Sequence, residues 1–334
     1  MRSHPLTILK ILIALRNGLP RPVARTRERI DFGFRYVHQK NHFWTWERCK
    51  LLRFEMKPFL KWPGGKRWLV TKHSHLFPKN FGTYIEPFLG SGSVFFYLLP
   101  EKSILGDANS ELIATYSGLR DDPFAVEDAL LSHEMNHCSA YYYGVRDSRP
   151  RTSQMKAARF IYLNRTCFNG IYRVNRDGEF NVPKGTKSAV VFDDDEFEKA
   201  SEALRRARIH ISDFETLVDK AGPNDFIFAD PPYTVRHNSN AFIKYNENLF
   251  SWADQVRLAD ALARARDRGS RIMATNANHH AVRSLYKNRS FFLRSISRFS
   301  SISADSRRRN QFEELIVLSE PKRGETRSTN DTHK

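Results

Sequence analysis

The apolar stretch Phe226-Ile227-Phe228-Ala229 stops abruptly on Asp230-Pro231-Pro232-Tyr233. Two successive prolines donate nothing to a sheet ladder, so a buried strand has to end there. Beyond the strand stand a carboxylate, two carbonyls on a stiff backbone and a phenol ring. An exocyclic amine presents two N–H groups and needs two acceptors in its plane. Asp230 offers one through its carboxylate and Pro231 the other through its carbonyl, while Tyr233 offers a flat face for stacking a base. The bland alternative is a strand-terminating turn with a solvated Asp. The amine-binding reading needs no metal.

Two further stretches carry chemistry. Gly90-x-Gly92 lies between a strand pattern and a helix pattern in "YIEPFLGSGSVFF", where glycines let a ligand approach the backbone. Asp107 ends the next strand pattern, at the place where a carboxylate binds ribose hydroxyls. Together they point to a nucleoside-containing cofactor, and the missing third glycine of G-x-G-x-x-G argues against a hydride carrier. "FLKWPGGKRWL" has a Gly-Lys pair, but Arg67 stands where a phosphate loop needs Ser or Thr. Its readings are a turn before a helix with Trp62 in the core, or a binding loop in which Lys66 meets a carboxylate.

The elements that must position these residues alternate between strand and helix after Met56, which predicts an α/β sheet. Strands are expected at 83–86, 103–107, 209–212, 225–229 and 271–276. "FFLRSIS" and "EELIVLS" read as closing strands around a basic loop, 298–309. Pro123 opens a helical pattern running to about Tyr143. "SQMKAARFIYLN" is a further helix, and "FNGIYRVNRDGEFNVP" reads as a hairpin around Arg-Asp-Gly. The region 145–190 holds 10 Lys/Arg against 3 Asp/Glu.

The chain has 334 residues and a formal net charge of +17, with 40% hydrophobic and 13% aromatic residues. The length suggests about two domains, and the charge a polyanionic partner, nucleic acid rather than a membrane surface. Cys49, Cys138 and Cys167 form no C-x-x-C pair, which argues against a disulfide framework or a zinc site and fits a reducing cytoplasm. No stretch has the length of a membrane-spanning helix. "LTILKILIAL" is interrupted by Lys10, with no cleavage site after it. Residues 1–55 carry 12 Lys/Arg against 4 Asp/Glu and read as a basic extension outside the core; Met56 is an alternative start. The tail 320–334 is polar and reads as disordered.

Taken in order, "FLKWPGGK", "YIEPFLGSGSVFF", "GDANSELI", "FIYLNRTCFNGIYRVNRDGEFNVP", "DFIFADPPY", "FIKYNENLFSWADQ" and "EELIVLSE" make the sequence resemble the Dam-type DNA adenine-N6 methyltransferases. The resemblance runs from about residue 58 to 319. It implies a Rossmann-like methyltransferase sheet at 56–119 and 206–319, with a small helical and hairpin target-recognition insert at 120–205. It implies methyl transfer from S-adenosylmethionine to adenine N6 in double-stranded DNA, at GATC or a related site, after the base is flipped out of the stack. No metal and no obligate protein partner are implied.

Carried over motif by motif, the resemblance implies that Trp62, Lys66, Gly90, Gly92, Asp107 and Asp230 surround the cofactor. Asp213 and Phe214 are candidates for its adenine ring, with a helix N-cap as the other reading of Asp213. Asp230, Pro231, Pro232 and Tyr233 hold the target base, and the loop 234–250 closes over it. Asn169 helps to fill the gap that the flipped base leaves. Ile171 and Pro183 touch thymine, Arg173 reads a guanine and Lys61 lies near the first guanine. Lys187 departs from the family, which often has an aromatic residue there. Two rivals stay open: a methyltransferase for cytosine N4 or for an RNA or protein amine, and an inactive DNA-binding module.

Overall fold

The computed structural model describes residues 56–175, 178–233, 250–299 and 311–319. The extension 1–55, the turn residues Arg176 and Asp177, most of the loop 234–250, most of the basic loop 298–309 and the tail 320–334 lie outside the described residues. The described residues belong to one compact unit.

Seven strands form one sheet: β1 (Tyr84–Glu86), β2 (Ser103–Asp107), β3 (Ala207–Ile211), β4 (Phe226–Ala229), β5 (Arg271–Ala277), β6 (Phe292–Phe299) and β7 (Gln311–Leu318). Their order is β3-β2-β1-β4-β5-β7-β6. The first five run parallel, and β7 enters antiparallel between β5 and β6. This is the mixed α/β sheet that the alternating sequence pattern predicts, and it is consistent with the methyltransferase sheet that the resemblance implies.

Side-chain alternation explains the two cores. Tyr84, Phe226, Phe228, Met273 and Ile316 point to one face. Ile85, Ile227, Ala229, Ile272, Ala274, Leu315 and Val317 point to the other. A sheet apolar on both faces has to be covered twice. The second face receives α8 (Phe214–Val218), α9 (Trp252–Asp267) and α10 (His280–Lys287). The first receives α1 (Arg67–His73), α2 (Ser93–Leu98), α3 (Ser110–Asp121), α4 (Pro123–Met135), α5 (Ser139–Asp147), α6 (Ser153–Thr166) and α7 (Phe197–Leu204). Side chains fix the helix starts: Asn109, Asp122, Thr152, Asp213 and Ser251 each accept a backbone N–H of the first turn.

Two sequence expectations differ from the structure. The helical pattern from Pro123 splits into α4 and α5, because the Asn136 side chain donates to the Ser132 carbonyl and closes the first helix. Cys138 then caps the second through its sulfur. The expected hairpin between Phe168 and Pro183 is present but short: Val174 and Phe180 form an antiparallel bridge, Asn175 N donates to the Glu179 carbonyl at 2.8 Å and Asn181 N to the Arg173 carbonyl at 3.3 Å, and a second bridge joins Cys167 and Lys184. Pro183 has no N–H to give, Asn169 and Gly170 are left-handed (φ 57° and 65°), and the Asn175 side chain accepts from Glu179 N at 2.8 Å in place of a ladder bond.

Arg165, on the last turn of α6, ties the segments flanking the sheet together. Its guanidinium grips both oxygens of Asp195 at 2.6 and 2.7 Å and donates to the carbonyls of Val190 and Phe59. Both side chains are more than nine-tenths buried. Breaking a buried pair strands one charge in low dielectric, so Arg165→Ala should lower unfolding free energy by about 3–5 kcal/mol. Urea unfolding followed by circular dichroism measures this; a loss under about 1 kcal/mol would mean that Asp195 is not left uncompensated.

Candidate active site

The sheet reverses its strand order between β1 and β4, and ligands of open α/β sheets bind outside the strand ends at such a point. β1 ends there on Glu86 and leads into the Gly90-Ser91-Gly92 turn, while β4 ends on Ala229 and delivers Asp230. Gly90 and Gly92 are left-handed, with φ of 47° and 63°. A Cβ on Gly90 would come within 2.7 Å of the Trp62 indole, so this turn leaves no room for a side chain. Tyr116, fully buried, donates its hydroxyl to the Gly90 carbonyl at 2.8 Å and fixes the turn from below.

Asp107 closes β2 beside the same turn. Its two oxygens accept the backbone N–H groups of Gly90 (3.1 Å) and Asn109 (3.0 Å). Burial nonetheless pushes its carboxyl above the ordinary Asp range, and those N–H groups oppose the rise. Glu86 is more deeply buried and accepts the Tyr84 hydroxyl at 2.8 Å. Desolvation drives its pKa well up, with the negative charges of Asp230 and Asp107 adding to the effect.

Asp230 sits at the centre of a polar cluster. Lys66, 4% exposed, places its ammonium 2.8 Å from Asp230 Oδ2 and 3.8 Å from Glu314 on β7. The lysine also donates to the Gly64 carbonyl at 2.7 Å and stands over the Tyr233 ring, 5.2 Å from its centroid. Thr275 on β5 donates to Asp230 Oδ1 at 2.5 Å. The Tyr233 hydroxyl reaches Glu314 Oε2 at 3.1 Å and Asp230 Oδ1 at 3.5 Å. Burial, reinforced by both carboxylates, raises the Tyr233 pKa well above that of a free phenol, so it stays protonated. Gln255, fully buried on α9 and held by Asn276, donates to the Pro232 carbonyl at 3.2 Å and braces the double-proline turn.

The loop is a turn before α1 with Trp62 packed against the core, and its Lys66 also meets a carboxylate, so the structural parts of both sequence readings are present. Trp62 is half-buried, stacked on Tyr172 at 5.5 Å and on Phe160 at 6.5 Å. Asp213 adopts the cap reading: it accepts from Glu215 N and pairs with Arg257 at 2.5 Å in the open. Phe214 is buried, stacked on Phe88 and covered by the Arg257 guanidinium.

The segment expected to read DNA is tied together by backbone and side-chain bonds. Phe168 N donates to the Pro183 carbonyl, and the Asn164 amide bonds both backbone groups of Lys61. Gly170 lies so close to Lys61 that a Cβ would meet its side chain at 2.8 Å. Lys187 beside Lys61 pulls the latter's pKa down to about 8, with burial adding to the effect. Asn169, Arg173 and Pro183 are exposed and Ile171 half-buried; Arg173 is steadied by Asn181 Oδ1 at 3.1 Å.

Glu86, Tyr116, Gln255, Thr275 and Glu314 were not singled out from the sequence. For Glu314 a signal existed: it alternates with Ile316 onto an apolar face in "EELIVL", where a carboxylate needs a reason. Among the described residues no cluster of His, Cys, Asp or Glu could hold a metal, and no helix is long and apolar enough to cross a membrane.

The glycine turn, the acidic end of β2 and the Asp-Pro-Pro-Tyr corner all follow the carboxyl ends of neighbouring parallel strands at the sheet's switch point. The family model for D12 class N6 adenine-specific DNA methyltransferases matches residues 62–302, and the chain belongs to that family. It is 36% identical over 274 residues to the type II methyltransferase M1.LlaDCHI of Lactococcus lactis subsp. cremoris, covering 79% of this chain and 96% of that protein. It is 35% identical to the DNA adenine methylase of Serratia marcescens over 78% and 98% of the two chains. With the DNA adenine methylase of Escherichia coli K12 it shares 29% identity over 79% and 96%.

The family implies S-adenosylmethionine, and the turn is compatible with it: neither Gly90 nor Gly92 carries a side chain, Trp62 lies against Gly90, and an acidic group closes the neighbouring strand. Gly90→Ala should therefore weaken S-adenosylmethionine binding at least tenfold by calorimetry, because Trp62 has to move into the turn's approach. An unchanged affinity would show that the cofactor does not use this turn.

Proposed function

We propose that the protein transfers a methyl group from S-adenosylmethionine to adenine N6 in double-stranded DNA, at GATC or a related site, with the adenine flipped out of the helix. The observation that carries this reading is Asp230, held by Lys66 and Thr275 at the end of β4 and next in space to the strand that feeds the glycine turn.

When bound, S-adenosylmethionine supplies an electrophilic methyl on a positively charged sulfur. Trp62, Gly90, Gly92 and Asp107 would hold it, with Asp107 on the ribose hydroxyls; the buried Lys66 would act through Asp230. Asp213 and Phe214 remain candidates for its adenine ring, at the open end of α8. The protein's task is then alignment, which supplies much of the rate in such a displacement. The Asp230 carboxylate and the Pro231 carbonyl accept the two amine N–H groups of the target. This pulls the nitrogen lone pair out of conjugation with the ring and aims it outward. Tyr233 stacks on the flipped base and recovers part of the few kcal/mol that unstacking costs.

The insert at 120–205 reads the DNA. Arg173 takes a guanine edge bidentately, Ile171 and Pro183 meet thymine, Asn169 helps to fill the vacated stack and Lys61 lies near the first guanine. The net charge of +17 supplies phosphate attraction along the duplex. The protein works on DNA in the cytoplasm.

Incubation with labelled S-adenosylmethionine and plasmid DNA, with identification of the methylated nucleoside, tests the reading: N6-methyladenine is expected. Label in N4-methylcytosine, or none in DNA, would overturn it. Asp230→Ala should lower turnover at least a thousandfold with the fold intact, and Asp230→Asn should keep more DNA binding than turnover. Near-normal turnover in the alanine variant would remove Asp230 from the chemistry. Arg173→Ala should cost about 1–3 kcal/mol at one base pair and relax specificity there. Sequencing the methylated sites checks this, and an unchanged motif with uniformly lower occupancy would make Arg173 a phosphate contact.

A further inference from the structure

Glu314 stands 81 residues beyond Tyr233 in the chain, yet accepts its hydroxyl at 3.1 Å. It is 2% exposed and enters from β7, the strand that slots antiparallel beside β5. The same Oε2 lies 3.8 Å from the ammonium of Lys66, whose other carboxylate neighbour is Asp230 at 2.8 Å. Asp230 is thus in demand from three donors. Thr275 holds Oδ1 at 2.5 Å, Lys66 holds Oδ2, and the Tyr233 hydroxyl stands at 3.5 Å from Oδ1, the outer limit of a hydrogen bond. A carboxylate has about four lone-pair sites, and each one filled by the protein is lost to a substrate amine.

We propose that Glu314 is a positioning residue which keeps Asp230 available to the target amine, by drawing the Tyr233 hydroxyl and part of the Lys66 charge to itself. The proposal rests on the reading of Asp230 as the amine acceptor. Its logic is competition. A buried phenol hydroxyl takes an acceptor wherever one is in reach. With Glu314 removed, the nearest carboxylate oxygen is Asp230 Oδ1, and Tyr233 swings onto it. Lys66 likewise loses its second counter-charge and bonds Asp230 alone. The carboxylate then meets the adenine amine with its lone pairs occupied and its charge damped. Tyr233 also leaves the ring position set by the Glu314 bond.

This makes a prediction that a purely structural role does not: deleting the Tyr233 hydroxyl should help an enzyme that lacks Glu314. The full chain is compared as wild type, Glu314→Ala, Tyr233→Phe and the double variant. Turnover into plasmid DNA, S-adenosylmethionine affinity by calorimetry and melting temperature are measured for each. Tyr233→Phe should lower turnover by a few-fold. Glu314→Ala should lower it at least tenfold with cofactor affinity within threefold of wild type, and the double variant should turn over at least fivefold faster than Glu314→Ala. A double variant equal to or slower than Glu314→Ala would overturn the proposal. If Glu314→Ala does not fold, Glu314→Gln decides: it keeps an acceptor for the hydroxyl, so turnover within about fivefold of wild type supports the proposal and a hundredfold loss refutes it. A wild-type enzyme that methylates no adenine would overturn the functional reading, and this proposal with it; an active wild type without the recovery removes Glu314 alone.

Discussion

The ion pair between Lys66 and Asp230 is the constraint around which this fold is arranged. A lysine ammonium at 4% exposure survives only beside negative charge and carbonyl oxygen, and it has both. To supply them, the loop before α1, the end of β4 and the middle of β7 have to converge within a few ångströms. That convergence in turn requires the strand order β1-β4-β5-β7, since any other neighbour of β5 would remove the second carboxylate. The apolar cores on the two faces fix the sheet, but the polar cluster at its edge fixes which corner becomes a site.

A second coupling runs through aromatic rings. Trp62 lies against the bare backbone of Gly90 on one side and stacks on Tyr172 on the other, and Tyr172 continues onto Phe160 and Phe180. The glycine turn and the recognition segment therefore share one indole. Movement of Tyr172 would be felt at Gly90 through that indole. Interiors this closely packed transmit displacement instead of absorbing it.

Much of this architecture is legible in the sequence, because the informative residues sit at strand ends with local signatures. Two prolines stop β4 after Asp230, glycines bare the turn at 90–92, and Asn109 caps α3 after β2. The strand pattern itself comes from apolar runs of four or five residues. Contacts that depend on register between distant strands are not legible in this way. Thr275 and Glu314 reach Asp230 and Tyr233 across 45 and 81 residues, and no local spacing encodes that. The expected hairpin is shorter than its alternation suggests: Val174 pairs with Phe180, but the Asn175 side chain takes the Glu179 N–H that a longer ladder would use. The break between α4 and α5 is hidden in Asn136, whose side chain closes a helix that the apolar pattern continues.

The place of β7 in the sheet also has a consequence for biosynthesis. Translation delivers the chain from its N-terminus, and the parallel strands with Lys66, Asp107 and Asp230 are complete before β7 leaves the ribosome. Until then the open flank of β5 is an unpaired edge in a nascent protein, with bare backbone groups ready to recruit another strand. The last-made strand heals that edge and brings Glu314 to Tyr233 in the same event. A ribosome that stalls before residue 311 would therefore release a product that is both sticky and chemically incomplete.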